Sequence, residues 1–164
     1  MVALLLTAST SPAGASPQNP RRWVASAYSG ISVWDFSRKP AAQVGLSILR
    51  RLWRGIEIAG IVSGLFGEQR SQVALCAGVG YGVGVGQVMI SPGFTIGAAI
   101  FRSSCAGVCR PFWTSALLLT PRVQIAYRLR SWLELEAVLP AVSLYYNRFW
   151  IAAWEPSIGF GLAF

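Results

Sequence analysis

The chain contains no histidine among its 164 residues, and this removes the side chain most often used as a general base near neutral pH. A serine or threonine with no base beside it is a weak nucleophile, so lipid-modifying or peptide-cleaving chemistry of the histidine-dependent kind is disfavoured. Charge is scarce as well. Only 12% of residues are charged and 6 are acidic, against 54% hydrophobic, too little charge for an ordinary soluble globule. Metal-site spacing is missing too, because the three cysteines, Cys76, Cys105 and Cys109, have no histidine or acidic cluster to join. No catalytic, cofactor or metal residues are assigned. The net charge of +8 raises nucleic acid as a partner. However, no Lys/Arg-rich helix or recognition motif occurs, and the arginines punctuate apolar segments at turn-like intervals. Nucleic acid is therefore set aside.

A long apolar helix is also lacking. A membrane-spanning helix needs about 20 apolar residues, and the longest uncharged stretch, residues 71–101, is long enough. Inside it, Gly78, Gly80, Gly82, Gly84 and Gly86 alternate with Val79, Tyr81, Val83 and Val85. A period of two suits a strand and is of no use to a helix.

That alternation is what the chain has in place of charge. Its clearest instance is the last segment, where Ile158, Phe160, Leu162 and Phe164 share one face and Ser157, Gly159, Gly161 and Ala163 the other. These residues resemble the final strand of bacterial outer-membrane β-barrel proteins, which typically ends in Phe with apolar residues at alternate positions before it. The resemblance implies a transmembrane, antiparallel, up-and-down, all-β barrel in the bacterial outer membrane. It also implies that Ile158, Phe160, Leu162 and Phe164 form the insertion signal read by the barrel-assembly machinery. The expected partners are outer-membrane lipid and lipopolysaccharide.

The rest of the chain reads the same way. Strands are predicted over residues 23–33, around 43–48, 56–63 and 72–86, then from Phe94, from Trp113 and from Leu133, before the last. Residues 34–40 are read as a loop, the Arg50, Arg51 and Arg54 region as a basic turn, Ser91-Pro92-Gly93 as a turn and residues 147–156 as a loop. Pro121 could mark a bulge or a turn, since proline cannot donate a ladder hydrogen bond. The count is eight strands, with ten as the alternative, and an even count puts both termini on the periplasmic side. Residues 1–15 end in the small-x-small pattern Ala13-Gly14-Ala15 and are read as a truncated signal peptide, residues 16–22 as a linker, and residues 23–164 as the barrel. Cys105 and Cys109 are either a local disulfide in an exported loop or two free thiols.

An eight-stranded barrel has an interior just wide enough to be filled by side chains. Small residues on the inner face leave room for a few long polar ones, and Glu57, Arg122, Arg128, Glu134 and Glu136 are the candidates for a lumen network. A soluble sheet, or a barrel with an apolar lumen, would put Ile, Val and Phe inside and these charges outside. In the hairpin of residues 122–139, shared faces require paired residue numbers with an even sum. A sum of 262 pairs Arg128 with Glu134, and 264 pairs it with Glu136. Tryptophans 23, 34, 53, 113, 132, 150 and 154 gather near strand ends as interfacial girdles would. The function expected is non-enzymatic: a structural or surface-interaction protein touching lipopolysaccharide or protein through its loops. A narrow pore is the alternative, and a lipid-modifying enzyme ranks below both.

Overall fold

The computed structural model describes residues 22–34, 40–67, 70–103 and 112–164, with the side chains of residues 103, 112 and 140 left aside. The signal-peptide segment, most of the linker, the loop residues 35–39, and Cys105 and Cys109 lie outside the described residues. Ten strands form: β1 (Trp23–Trp34), β2 (Ala41–Arg51), β3 (Ile56–Phe66), β4 (Arg70–Tyr81), β5 (Val83–Val85), β6 (Val88–Ser103), β7 (Phe112–Arg128), β8 (Leu133–Asn147), β9 (Phe149–Trp154) and β10 (Ser157–Ala163). All pairings are antiparallel, and β1 closes the ring by pairing with β10 and β9. β5 continues β4 along β6, and β9 with β10 forms one stave between β8 and β1, so the ten strands make an eight-stave closed barrel. Closure gives every strand edge a partner, which is what a lipid environment demands of a backbone.

Sequence alternation sets the two surfaces. On β2, Val44, Leu46 and Ile48 are exposed, while Gln43 and Leu49 are buried inside. On β10, Ile158, Phe160, Leu162 and the following Phe164 face outward, with Gly159, Gly161 and Ala163 buried. The small inner residues make space for large neighbours: a Cβ on Gly45 would sit 2.2 Å from the ring of Tyr28, its cross-strand partner. Such a contact is impossible, so glycine there is what lets Tyr28 lie across the lumen wall.

Several boundaries differ from those the sequence suggests. The β5–β6 connection is the tight Gly86–Gln87 turn, with Gly86 at φ +62°, and Ser91-Pro92-Gly93 runs within β6. Pro92, which has no N–H to donate, lies opposite the break between β4 and β5, where the pairing with β6 stops at Gly80–Gly93 and resumes at Val83–Ile90. Of the alternating glycines, Gly84 and Gly86 line the end of the lumen with Arg128 and Glu134 but are exposed, since they lie in and next to that hairpin, unlike Gly78, Gly80 and Gly82. Pro121 neither turns nor ends β7, which continues as one strand to Arg128. Residues 147–156 are not a loop. The chain reverses at Arg148, φ 65°, and β9 pairs back along β8.

Prolines interrupt four successive staves. Pro92 lies in β6, Pro121 in β7, Pro140 in β8 and Pro156 between β9 and β10. The β7–β8 ladder lacks a pair at Pro121 and shifts register between Arg122 and Gln124, opposite Leu139 and Pro140. This bulge inverts the inner parity of β8: Glu134 and Glu136 face inward below it, and Ala141, Ser143 and Tyr145 above it.

Candidate functional site

The barrel has a terminal end, where Trp23 and Phe164 exchange backbone hydrogen bonds at 3.0 and 2.9 Å, and an opposite loop end. Its lumen is filled in three tiers. At the terminal end, Arg51 closes β2 on the inner face. Its Nη1 and Nη2 donate to the two carboxylate oxygens of Glu134 at 3.0 and 2.8 Å, and its Nε donates to Glu57 at 3.1 Å. This is a fork-to-carboxylate geometry suited to arginine alone. Arg128 pairs with Glu134 across the β7–β8 hairpin, the 262 register, but its Nε stands 3.8 Å from the carboxylate and its side chain is 39% exposed. Arg51, not Arg128, is thus the main counter-ion of Glu134. Arg51 belongs to the segment that the sequence suggests is a basic turn, and the structure makes it the last residue of β2 instead.

In the middle tier, Glu136 accepts hydrogen bonds from Ser26 at 2.8 Å and Gln124 at 3.0 Å. Beside it lies a cavity of about 60 Å³ open to water centres, lined among others by Tyr28, Thr95, Arg122, Glu136 and Glu155, room for roughly four to six waters. Arg122 joins no ion pair among the described residues. The structure therefore divides the five sequence-designated lumen residues among separate groups: Glu57, Arg128 and Glu134 with Arg51, Glu136 with its two neutral donors, and Arg122 at the cavity.

Glu155 borders the same cavity from the other side. It sits in the break between β9 and β10 and is buried. The hydroxyls of Ser32 and Tyr145 donate to one carboxylate oxygen at 3.0 and 2.7 Å, and Ser143 donates to the other. Toward the loop end, Trp34 stacks on Tyr145 with ring centroids 4.5 Å apart, and Phe101 meets both edge-on. Trp34 is therefore an internal plug, only 5% exposed, and not the interfacial residue or loop residue expected. The Arg70 guanidinium lies over Trp34 at 4.6 Å and over Phe101 at 5.6 Å, covering the aromatic tier.

Outside, exposed aromatics form two rims: Trp53, Tyr81, Trp132 and Phe164 at the terminal end, and Phe66, Trp113, Phe149 and Trp150 at the loop end. The charge distribution is one-sided. All four described carboxylate side chains, Glu57, Glu134, Glu136 and Glu155, are buried in the lumen, whereas Arg54, Arg102, Arg130 and Arg148 are exposed. Among the described residues the barrel surface carries cationic side chains and no anionic ones.

No protein-family model and no curated protein sequence matches the chain. Solved structures do. Neisserial surface protein A superposes with a TM-score of 0.68 at 12% identity, covering 88% of this chain and 97% of that one. The N-terminal β-barrel domain of Pseudomonas aeruginosa OprF gives 0.59 at 17% identity, covering 87% and 97%. Ail, the attachment invasion locus protein of Yersinia pestis, gives 0.56 at 12% identity, covering 88% and 99%, and has also been solved with the heparin analogue sucrose octasulfate. At these identities the likeness is one of fold, and the fold is that of a small outer-membrane β-barrel.

Proposed function

We propose that the chain is a non-enzymatic barrel of the bacterial outer membrane whose loop end contacts a surface polyanion, with the phosphates of lipopolysaccharide as the partner. The observation that carries this reading is the segregation of charge. Every described carboxylate side chain is consumed inside the lumen, leaving Arg102 and Arg148 exposed at the loop end; the sequence adds Arg38, Lys39 and Arg110 to the intervening loops against the two acidic residues there, Asp35 and Glu68, so cations stay in excess. Guanidinium groups bind phosphate and sulfate oxygens by charge-assisted, bidentate hydrogen bonds. The sulfated ligand of Ail, a barrel of the same fold, is of that chemistry. Ile158, Phe160, Leu162 and Phe164 serve, in this proposal, as the signal handed to the barrel-assembly machinery.

The test is binding of the purified full chain, in nanodiscs, to lipopolysaccharide and to its dephosphorylated form. Binding should require the phosphates, weaken with salt and fall in Arg102→Gln/Arg148→Gln. Equal binding of both forms, or indifference to salt, would refute it.

A further inference from the structure

The terminal rim carries a second arginine set that the loop-end reading does not use. Two of these arginines lie over an exposed or half-exposed indole, and a third shares a turn with one. Arg50 lies over Trp23 at 5.1 Å, Arg54 over Trp53 at 3.9 Å, and Arg130 shares the 129–132 turn with Trp132. Trp53 and Trp132 are 66% and 56% exposed, and both adjoin the apolar exterior through Ile56, Ile58, Leu162 and Phe164. The carboxylates of this end, Glu57 and Glu134, are turned inward onto Arg51, so none of the described side chains offers these arginines a surface counter-ion.

The backbone adds an independent sign. Arg54 is held at φ 60°, ψ 29° within the Trp53–Gly55 turn, a left-handed conformation that glycine or asparagine adopts at less cost. An arginine kept there at the expense of stability is better explained by what its guanidinium meets than by the turn itself.

We infer that the terminal rim is a binding surface for glycerophospholipids with anionic headgroups, each phosphate held by an Arg–Trp pair while the acyl chains lie along the apolar strands above. An indole at the edge of the hydrocarbon and a guanidinium one step further out match the order of a phospholipid from chain to headgroup. A zwitterionic lipid presents the same phosphate with a cation attached, and gains less from a rim whose described side chains include no exposed carboxylate. None of the loop-end arginines belongs to this surface, so this inference stands or falls apart from the loop-end proposal.

The full chain is refolded into phosphatidylcholine nanodiscs containing a minority of phosphatidylglycerol and no lipopolysaccharide, and the lipids retained on the barrel are counted by native mass spectrometry at low and high salt. Wild type should retain phosphatidylglycerol over phosphatidylcholine by about fivefold for each engaged arginine at low salt, and lose the preference as salt rises. Arg50→Gln/Arg54→Gln/Arg130→Gln should bring the ratio close to that of the lipid mixture, while Arg102→Gln/Arg148→Gln at the loop end should leave it unchanged. Folding is checked by anomalous migration in cold SDS. Arg54→Gly separates binding from architecture: it relaxes the turn, so this variant should unfold no more easily than wild type and yet retain less phosphatidylglycerol. Absence of a preference in wild type, its persistence in the triple variant, or its loss in the loop-end pair overturns the inference.

Discussion

Replacing Arg51 by methionine should be among the most damaging single changes in the barrel. The substitution keeps an unbranched apolar chain of similar reach but removes all three charge-assisted hydrogen bonds that Arg51 makes to Glu57 and Glu134. Those carboxylates are 4% and 2% exposed, and neither can turn outward without entering the apolar face of its strand. Removing one partner of a buried ion pair costs about 3 to 5 kcal/mol, because the other charge is left behind, and here two like charges are left close together. Of the cations that remain near Glu134, Arg22 and Arg128, Arg128 alone is within ion-pair distance, at 3.8 Å with a side chain that is 39% exposed. A pair so placed contributes roughly 0 to 1 kcal/mol. Urea unfolding of the refolded barrel in lipid vesicles, followed by tryptophan fluorescence, should therefore rank Arg51→Met far below Arg128→Leu. Arg51→Met/Glu57→Gln/Glu134→Gln should recover more than half of the loss, since no stranded charge survives. If Arg51→Met proves no worse than Arg128→Leu, or if the triple variant stays as unstable as the single one, the terminal cluster is not held together as argued.

Glu155→Leu leaves the hydroxyls of Ser32, Ser143 and Tyr145 without their common acceptor and should cost about 1 to 3 kcal/mol for each donor that finds no new partner, read in the same unfolding experiment. In planar bilayers the wild-type protein should show little or no conductance. Removing the aromatic tier and the terminal cluster together, with Trp34→Ala/Tyr145→Ala/Arg51→Ala, should produce channel events where either lesion alone does not. Large stable channels from wild type would refute the filled lumen. Deletion of Phe164 or Phe164→Asp should abolish heat-modifiable protein in the outer membrane. Normal levels after either change would remove this residue from the insertion signal.

Most of the inner and outer surfaces can be read from strand parity alone. Ile158, Phe160 and Leu162 against Gly159 and Gly161, or Ile56 and Ile58 against Glu57, need only the two-residue period of a strand. Arg51, Trp34 and Glu155 obey the same rule, but they stand where the sequence suggests that a strand has ended. Arg51 continues the inner series Gln43, Gly45, Ser47, Leu49. Trp34 continues Ser26, Tyr28, Gly30, Ser32, and Glu155 precedes Ser157 and Gly159 in phase. Each was set in a turn or loop because arginine clusters, tryptophan before a polar run, and a Glu-Pro pair resemble chain reversals. The inversion along β8 is different in kind. Nothing in Val138-Leu139-Pro140-Ala141 says which residue is extra, because a bulge is fixed by the partner strand as much as by its own sequence. Ser91-Pro92-Gly93 misled for a related reason. A proline is excluded from an ordinary central strand, and only the gap between β4 and β5 in the neighbouring stave makes room for it.

The prolines at positions 92, 121, 140 and 156, carried by four staves in a row, give the wall a grain. Elsewhere each amide is latched to a neighbour on a closed ring, so releasing one requires its neighbours to yield as well. Along this diagonal four latches were never fitted, and the β7–β8 ladder is already out of step beside Arg122. Thermal breathing of the cylinder should concentrate there, as a local excursion well below global unfolding in free energy. The amides of Val123, Leu139, Ala141 and Ser157 would then exchange with deuterated solvent ahead of those at the same depth in β2 and β3, where the ladder runs unbroken from Ala42 to Arg51. A barrel built this way is stiff on one side and pliant on the other, and its interior cavity is walled by both.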